Sequence, residues 1–99
     1  MSKLVWKMDT FMAEGNAYFV KLDDGNSVAN VGIGIDDKER WITVYLIQTR
    51  KEFRNKGEAT KLLKALQEWS KEKKAVLRLW CPMNDVIGHI CTKLNIEIV

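Results

Sequence analysis

Apolar positions crowd Ala17-Tyr18-Phe19-Val20-Lys21-Leu22, and the aromatic and β-branched content of that run predicts a strand. Asp23-Asp24-Gly25-Asn26 then reads as a turn, with Gly25 or Asn26 able to take a positive φ. Ser27 to Ile35 predicts a second strand, marked by Val28, Val31, Ile33 and Ile35. Gly32 and Gly34 within it allow a bulge or a close backbone approach. Asp36-Asp37-Lys38-Glu39 is a second turn, and Arg40 to Gln48 a third strand, apolar enough to be central. These three strands make an antiparallel meander.

The period then changes. Thr49 to Lys56 is a polar connection, and a helix runs from about Gly57 to Lys74. Its stripe of Ala59, Leu62, Leu63, Leu66 and Trp69 recurs at i, i+3, i+4 and i+7, with Ala65 flanking. Ala75 to Trp80 is a fourth strand; because a helix leads to it, it lies parallel to the third. Cys81-Pro82-Met83-Asn84-Asp85 breaks it. Asp85 to Lys93 predicts a short second helix through Val86, Ile87, Ile90 and Leu94, and Ile96 to Val99 a closing strand. In residues 1–15, Trp6, Met8, Phe11 and Met12 fit either a short strand or one or two helical turns before the Gly15-Asn16 stop.

Ninety-nine residues make one domain, and 46% hydrophobic with 29% charged residues is the balance of a soluble globular chain. No apolar run approaches the roughly 20 residues that span a bilayer. Met1 to Asp9 has neither the long apolar core nor the small-residue cleavage site of a signal peptide, so a cytoplasmic home is expected. Cys81 and Cys91 are too few for a disulfide framework. With His89 they match no zinc spacing and lack a fourth ligand, so buried or unpaired thiols are expected and no metal.

The net charge of +3 is concentrated: between Arg50 and Lys74 nine basic side chains face four acidic ones. That fits a solvated helix face held by pairs such as Glu68 with Lys64, and equally a basic rim that attracts an anion. The segment Arg54-Asn55-Lys56-Gly57-Glu58-Ala59 lies between a strand and a helix. The first turn of a helix has unpaired N–H groups and a partial positive charge, which suits phosphate. Gly57 is a weaker cap than serine or aspartate, but it lets a ligand approach the backbone.

This Arg-x-x-Gly-x-Ala loop, followed by Leu62-Leu63, resembles the pyrophosphate loop of the GNAT superfamily of acetyl-CoA-dependent N-acyltransferases. A second match is Asn84 followed by Cys91-Thr92-Lys93-Leu94-Asn95-Ile96, set against the family's Asn-x6-Tyr-x-Lys-x-Gly-Phe. The resemblance runs from about Ala17 to Val99. It implies an α+β fold of the three-layer α/β type. The mixed sheet would be GNAT-like, in the order β-β-β-α-β-α-β with reduced N- and C-terminal parts, and residues 1–99 would form one acetyl-CoA-binding domain.

The resemblance further implies that Ile47 and Thr49 offer backbone groups to the pantetheine arm. Arg54, Asn55, Lys56, Gly57, Glu58, Ala59 and Thr60 would hold the pyrophosphate, with Asn84 a further cofactor contact. Cys91 stands where the family's tyrosine protonates the departing thiolate, and a thiol still carries a proton to donate at neutral pH. Asn95-Ile96 stands where Gly-Phe is common. For a base, Tyr45 lies in the right strand but the strand carries no carboxylate. His89 is the one side chain of a type that titrates near neutrality. Asp36, Asp37 and Glu39 fall in a turn and read as solvated. The expected reaction is acetyl transfer to an amine on a protein or other macromolecule, by a homodimer or with a partner that closes the groove. Two rivals stand beside it: a non-catalytic binding module on the same scaffold, and a small basic nucleic-acid-binding domain. Trp69 and Trp80 fall on apolar stripes, which argues against the latter.

Overall fold

The computed structural model describes residues 3–8, 17–35, 40–54, 56–80 and 85–98. The meander is β2 (Ala17–Leu22), β3 (Ser27–Ile35) and β4 (Arg40–Thr49), preceded by a strand β1 (Leu4–Met8). Of the two readings of the N-terminal segment, residues 4–8 take the strand; Gly15, Asn16 and the turn at 36–39 lie outside the described residues. After one 3-10 turn at Lys51–Phe53 come α1 (Glu58–Glu72), β5 (Ala75–Leu79), α2 (Asp85–Lys93) and β6 (Glu97–Ile98). The six strands form one sheet in chain order, antiparallel from β1 to β4 and parallel from β4 through β5 to β6. The mixed α+β architecture is the expected one, with one strand more at its start than the β-β-β-α-β-α-β order.

Strand alternation divides the sheet into two faces. Trp6, Val20, Ala29, Val31, Ile42, Val44, Ile47, Leu77 and Leu79 point to one side, where they meet Leu62, Leu63 and Leu66 of α1 and Ile87 and Cys91 of α2 in a single buried cluster. Trp6 adds a tilted contact with Trp69 of α1, ring centroids 5.0 Å apart. Both helices follow right-handed crossovers in the same direction, so both cover the same face. Among the described residues the layers are therefore two, one of sheet and one of helix, where the sequence suggested three.

Local chemistry ends each helix. Lys74 closes α1 at a φ of 57°, and Asn95 closes α2 at 59°. At the α2 end the Ile96 N–H donates to Cys91 O at 2.8 Å and the Asn95 N–H to Thr92 O at 3.2 Å, the paired bonds of a Schellman motif. Asparagine is the residue after glycine best suited to that left-handed position, so Asn95 can end α2 there, and Ile96 beyond it is buried.

Two irregularities in β4 break the regular ladder. Val44 pairs with Val31 and Leu46 with Asn30, so Tyr45 is the extra residue of a bulge. On the other side β5 stops pairing at Val44, whose carbonyl takes a last bond from the Trp80 N–H at 3.0 Å. Among the described residues Leu46 to Thr49 continue with β3 alone. The two parallel strands thus part at Val44.

Candidate active site

Alongside the end of β4 lies a cleft of about 1160 Å³, above the roughly 300–1,000 Å³ usual for ligand pockets. The end of β4, the 3-10 turn, the start of α1, the β2–β3 turn and Ile87 and Ile90 of α2 wall it. Backbone groups of β4 face it. The Arg50 N–H donates to Asn26 O on the β3 side at 3.2 Å, and alternation then turns the N–H and C=O of Ile47 and Thr49 away from β3 toward the free edge. The side chains of the same residues lock the floor: Ile47 is buried, and the Thr49 hydroxyl shares a 2.6 Å hydrogen bond with Ser27.

The mouth of the cleft is the first turn of α1. Gly57 caps it at φ +78°, with no side-chain hydrogen bond to the helix. A Cβ there would meet no atom within 4 Å, so the space over the backbone is open. The first intrahelical bond runs from the Lys61 N–H to Gly57 O at 3.0 Å, and helix geometry leaves the N–H groups of Glu58, Ala59 and Thr60 without intrahelical partners. The Glu58 carboxylate is turned aside: its Oε2 accepts from the Asn26 N–H at 3.2 Å, tying the β2–β3 turn to the helix start. Lys21, Arg50, Lys51 and Arg54 supply positive charge around the opening. The Arg54 Nε–H donates to Thr49 O at 3.3 Å, and the Lys56 ammonium stands 5.9 Å over the Phe53 ring. Donor amides, cations and an open left-handed glycine suit a phosphate-bearing group, and the free edge of β4 suits an extended amide-bearing arm.

Of the expected cofactor contacts, Ile47, Thr49, Arg54, Gly57, Glu58, Ala59 and Thr60 line the cleft. Lys56 stands beside it on Phe53. Asn55 and Asn84 lie outside the described residues. The expected catalytic residues do not converge there. Cys91 is fully buried in the core, and desolvation pushes its thiol pKa up. His89 is exposed on α2, and Tyr45 projects to the opposite face of the sheet, over Gly32. None of the three is among the cleft's walls. The burial of Cys91 follows from its spacing of four from Ile87, which puts both on one helical stripe. Lys21, Asn26, Arg50 and Lys51 join the site without having been expected. Arg50 and Lys51 belong to the basic run, whereas Lys21 and Asn26 arrive through the β2–β3 hairpin and carry no local signal. Among the described residues no cluster of His, Cys, Asp or Glu suits a metal ion, and no helix is long and apolar enough to cross a membrane.

A family model described as the acetyltransferase (GNAT) family matches residues 2–93. No curated protein matches the chain in sequence. Several solved structures share the fold. One is described as a probable acetyltransferase, 15% identical with a TM-score of 0.68, the match covering 83% of this chain and 60% of that one. Another is the aminoglycoside acetyltransferase meta-AAC0020 from an uncultured soil metagenomic sample in complex with trehalose, at 12% identity, TM-score 0.59, and 84% and 57% coverage. A third is the aminoglycoside N-acetyltransferase AAC(6')-Iy in complex with CoA, at 22% identity, TM-score 0.58, and 83% and 69% coverage. The chain matches only 60% and 57% of the first two, so it spans about three fifths of their length.

Proposed function

The chain belongs to the GNAT acetyltransferase family, and from that premise we propose that it moves an acetyl group from acetyl-CoA to an amine, the acceptor being a lysine on a protein or another macromolecular amine. The observation that carries this reading is the start of α1, uncapped on a left-handed Gly57 and opening onto a cation-rimmed cleft. The amides of Glu58, Ala59 and Thr60 hold the pyrophosphate, the Thr60 hydroxyl, Asn55 and Lys56 add contacts, and Arg54 supplies charge at the strand end. Ile47 and Thr49 present backbone groups to the pantetheine arm, with Asn84 a further contact. Bound acetyl-CoA supplies the thioester that is attacked.

The rest is what the protein's own groups do. The Ile47 N–H at the edge of β4 would donate to the acyl oxygen of a bound thioester and stabilise charge developing there. Among the described residues Glu58 is the one carboxylate on the cleft wall, and it is already engaged with Asn26. The amine therefore loses its proton to water, and the rate rests on positioning. Cys91, expected as the proton donor, serves as core packing, and Tyr45 and His89 act outside the cleft. The finer parts of the reading are a cytoplasmic location and a homodimer. A second reading, a binding module without turnover, is favoured by the absence of Cys91, Tyr45 and His89 from the cleft walls.

Calorimetric titration with acetyl-CoA tests the proposal. The wild type binds, Gly57→Trp abolishes binding by filling the open space, and Arg54→Ala weakens it about tenfold, the usual worth of one charge-assisted contact. No binding by the wild type at millimolar acetyl-CoA sinks the reading. Binding without thiol release in the presence of lysine peptides selects the binding module.

A further inference from the structure

The sheet face opposite α1 and α2 is built unlike a solvated surface. Of the five large apolar side chains that the described residues leave exposed, four lie on it: Val5 (48%), Val28 (36%), Val76 (38%) and Trp80 (53%). Aromatic rings pave its centre. Trp41 lies across Gly34, whose missing Cβ would fall 1.9 Å from the ring, and Tyr45 lies across Gly32 at 2.9 Å. Tyr45 meets Trp80 edge-on with centroids 5.9 Å apart, beside the point where β4 and β5 part. The Arg78 guanidinium stacks 4.6 Å over Trp41. Its Nε is buried with no hydrogen-bond partner among the described residues. A half-buried, stacked guanidinium with an unsatisfied donor is a receptor for a carboxylate.

Charge agrees with that. Among the described residues the strand registers put Lys7 and Arg78 on this face against Glu97 alone, with Lys21 at its margin, where it also walls the cleft. We propose that the face docks an acidic protein segment that carries the acceptor lysine. Carboxylates flanking the lysine meet Arg78 and Lys7. Its aliphatic stem and ammonium pass over Tyr45 and Trp80. The amine then enters the gap between β4 and β5 from the side opposite the pyrophosphate loop. The identity of the reacting amine rests on the acyltransferase reading; the docking itself does not. A nucleic-acid strand is the poorer occupant. So few cations, offset by an acid, give few phosphate contacts.

The test is a tryptophan-fluorescence titration without acetyl-CoA, using end-blocked Glu-Glu-Lys-Glu-Glu, the matched Arg-Arg-Lys-Arg-Arg, and an oligothymidylate at one ionic strength. The acidic peptide should bind at least about tenfold tighter than the basic one, and Arg78→Gln should weaken it about tenfold. Lys7→Gln, on an exposed side chain, should weaken it severalfold with no effect on the thermal midpoint, which guards against a folding defect in the Arg78 variant. Acetyl-CoA affinity should be unchanged in both. Equal binding of the two peptides, tighter binding of the oligothymidylate, no loss in either variant, or a dimer dispersed by Trp80→Ala would each overturn the docking. Peptide binding with no acetyl-CoA binding would remove the acyltransferase reading and leave the docking intact; the converse would remove the docking alone.

Discussion

Gly57 and Cys91 show how one residue's surroundings decide its role. At φ +78° a β-carbon is strained whatever the space around it, so Gly57→Ala should cost about 1 kcal/mol of stability in urea unfolding while removing little volume from the cleft. Gly57→Trp then differs from Gly57→Ala chiefly in acetyl-CoA binding, which separates strain from blockage. Cys91 has a clear pH signature. Burial raises its pKa in the native state above the unfolded value near 9.0, so the native state holds the proton longer. The thiol's contribution is complete below the unfolded pKa and falls away as pH rises through it, because the unfolded state gives up its proton first. The stability gap between wild type and Cys91→Ala should therefore be widest near neutrality and narrow above about pH 9, read from urea midpoints against pH. Alkylation of the Cys91 thiol should likewise wait on unfolding.

The elements were legible where periodicity and punctuation agreed. β2, β3 and α2 begin and end where aromatic and β-branched content, the Asp23–Asn26 turn and the Asp85 and Lys93 boundaries put them. β1 is ambiguous in the sequence because five residues carry too little pattern to separate a strand from a helical turn. The bulge at Tyr45 has no glycine or proline to announce it, since Val44 to Ile47 is uniformly apolar. In the site, Gly57 could be read from its position between strand and helix. The Glu58–Asn26 tie could not, because it joins residues 32 apart through the fold. Nor could the sidelining of Tyr45, which needs the strand register to know its face. The Asn95 terminus offers a direct check on helix ending. Asn95→Gly should be neutral or slightly stabilising, and Asn95→Val should cost about 1–2 kcal/mol in thermal melts, as a β-branched residue resists φ 59°.

At the scale of the whole molecule, one core serves the sheet and both helices, and a chain of 99 residues has little in reserve. Leu66 is fully buried within that core. Leu66→Ala should cost about 2–5 kcal/mol, enough to consume a large part of the stability of so small a domain, as denaturant unfolding would show. The Gln67 side chain, which donates to Leu94 O at 2.7 Å, joins the helices into one block. β4 serves both sides of the sheet: Ile47 to Thr49 wall the cleft, while Trp41 and Tyr45 lie on the opposite face.

That the strands stand in space in the order in which they are strung on the chain bears on how the protein is made. No strand has to be inserted between two already paired. As the polypeptide leaves the ribosome, each new strand finds a waiting edge, first by hairpin closure on the microsecond scale and later through slower helical crossovers. The growing sheet is a valid template at every length, and its exposed edge advances with synthesis. Nascent intermediates should accordingly resemble truncated forms of the finished protein, with β1 to β4 assembled before α1 is complete.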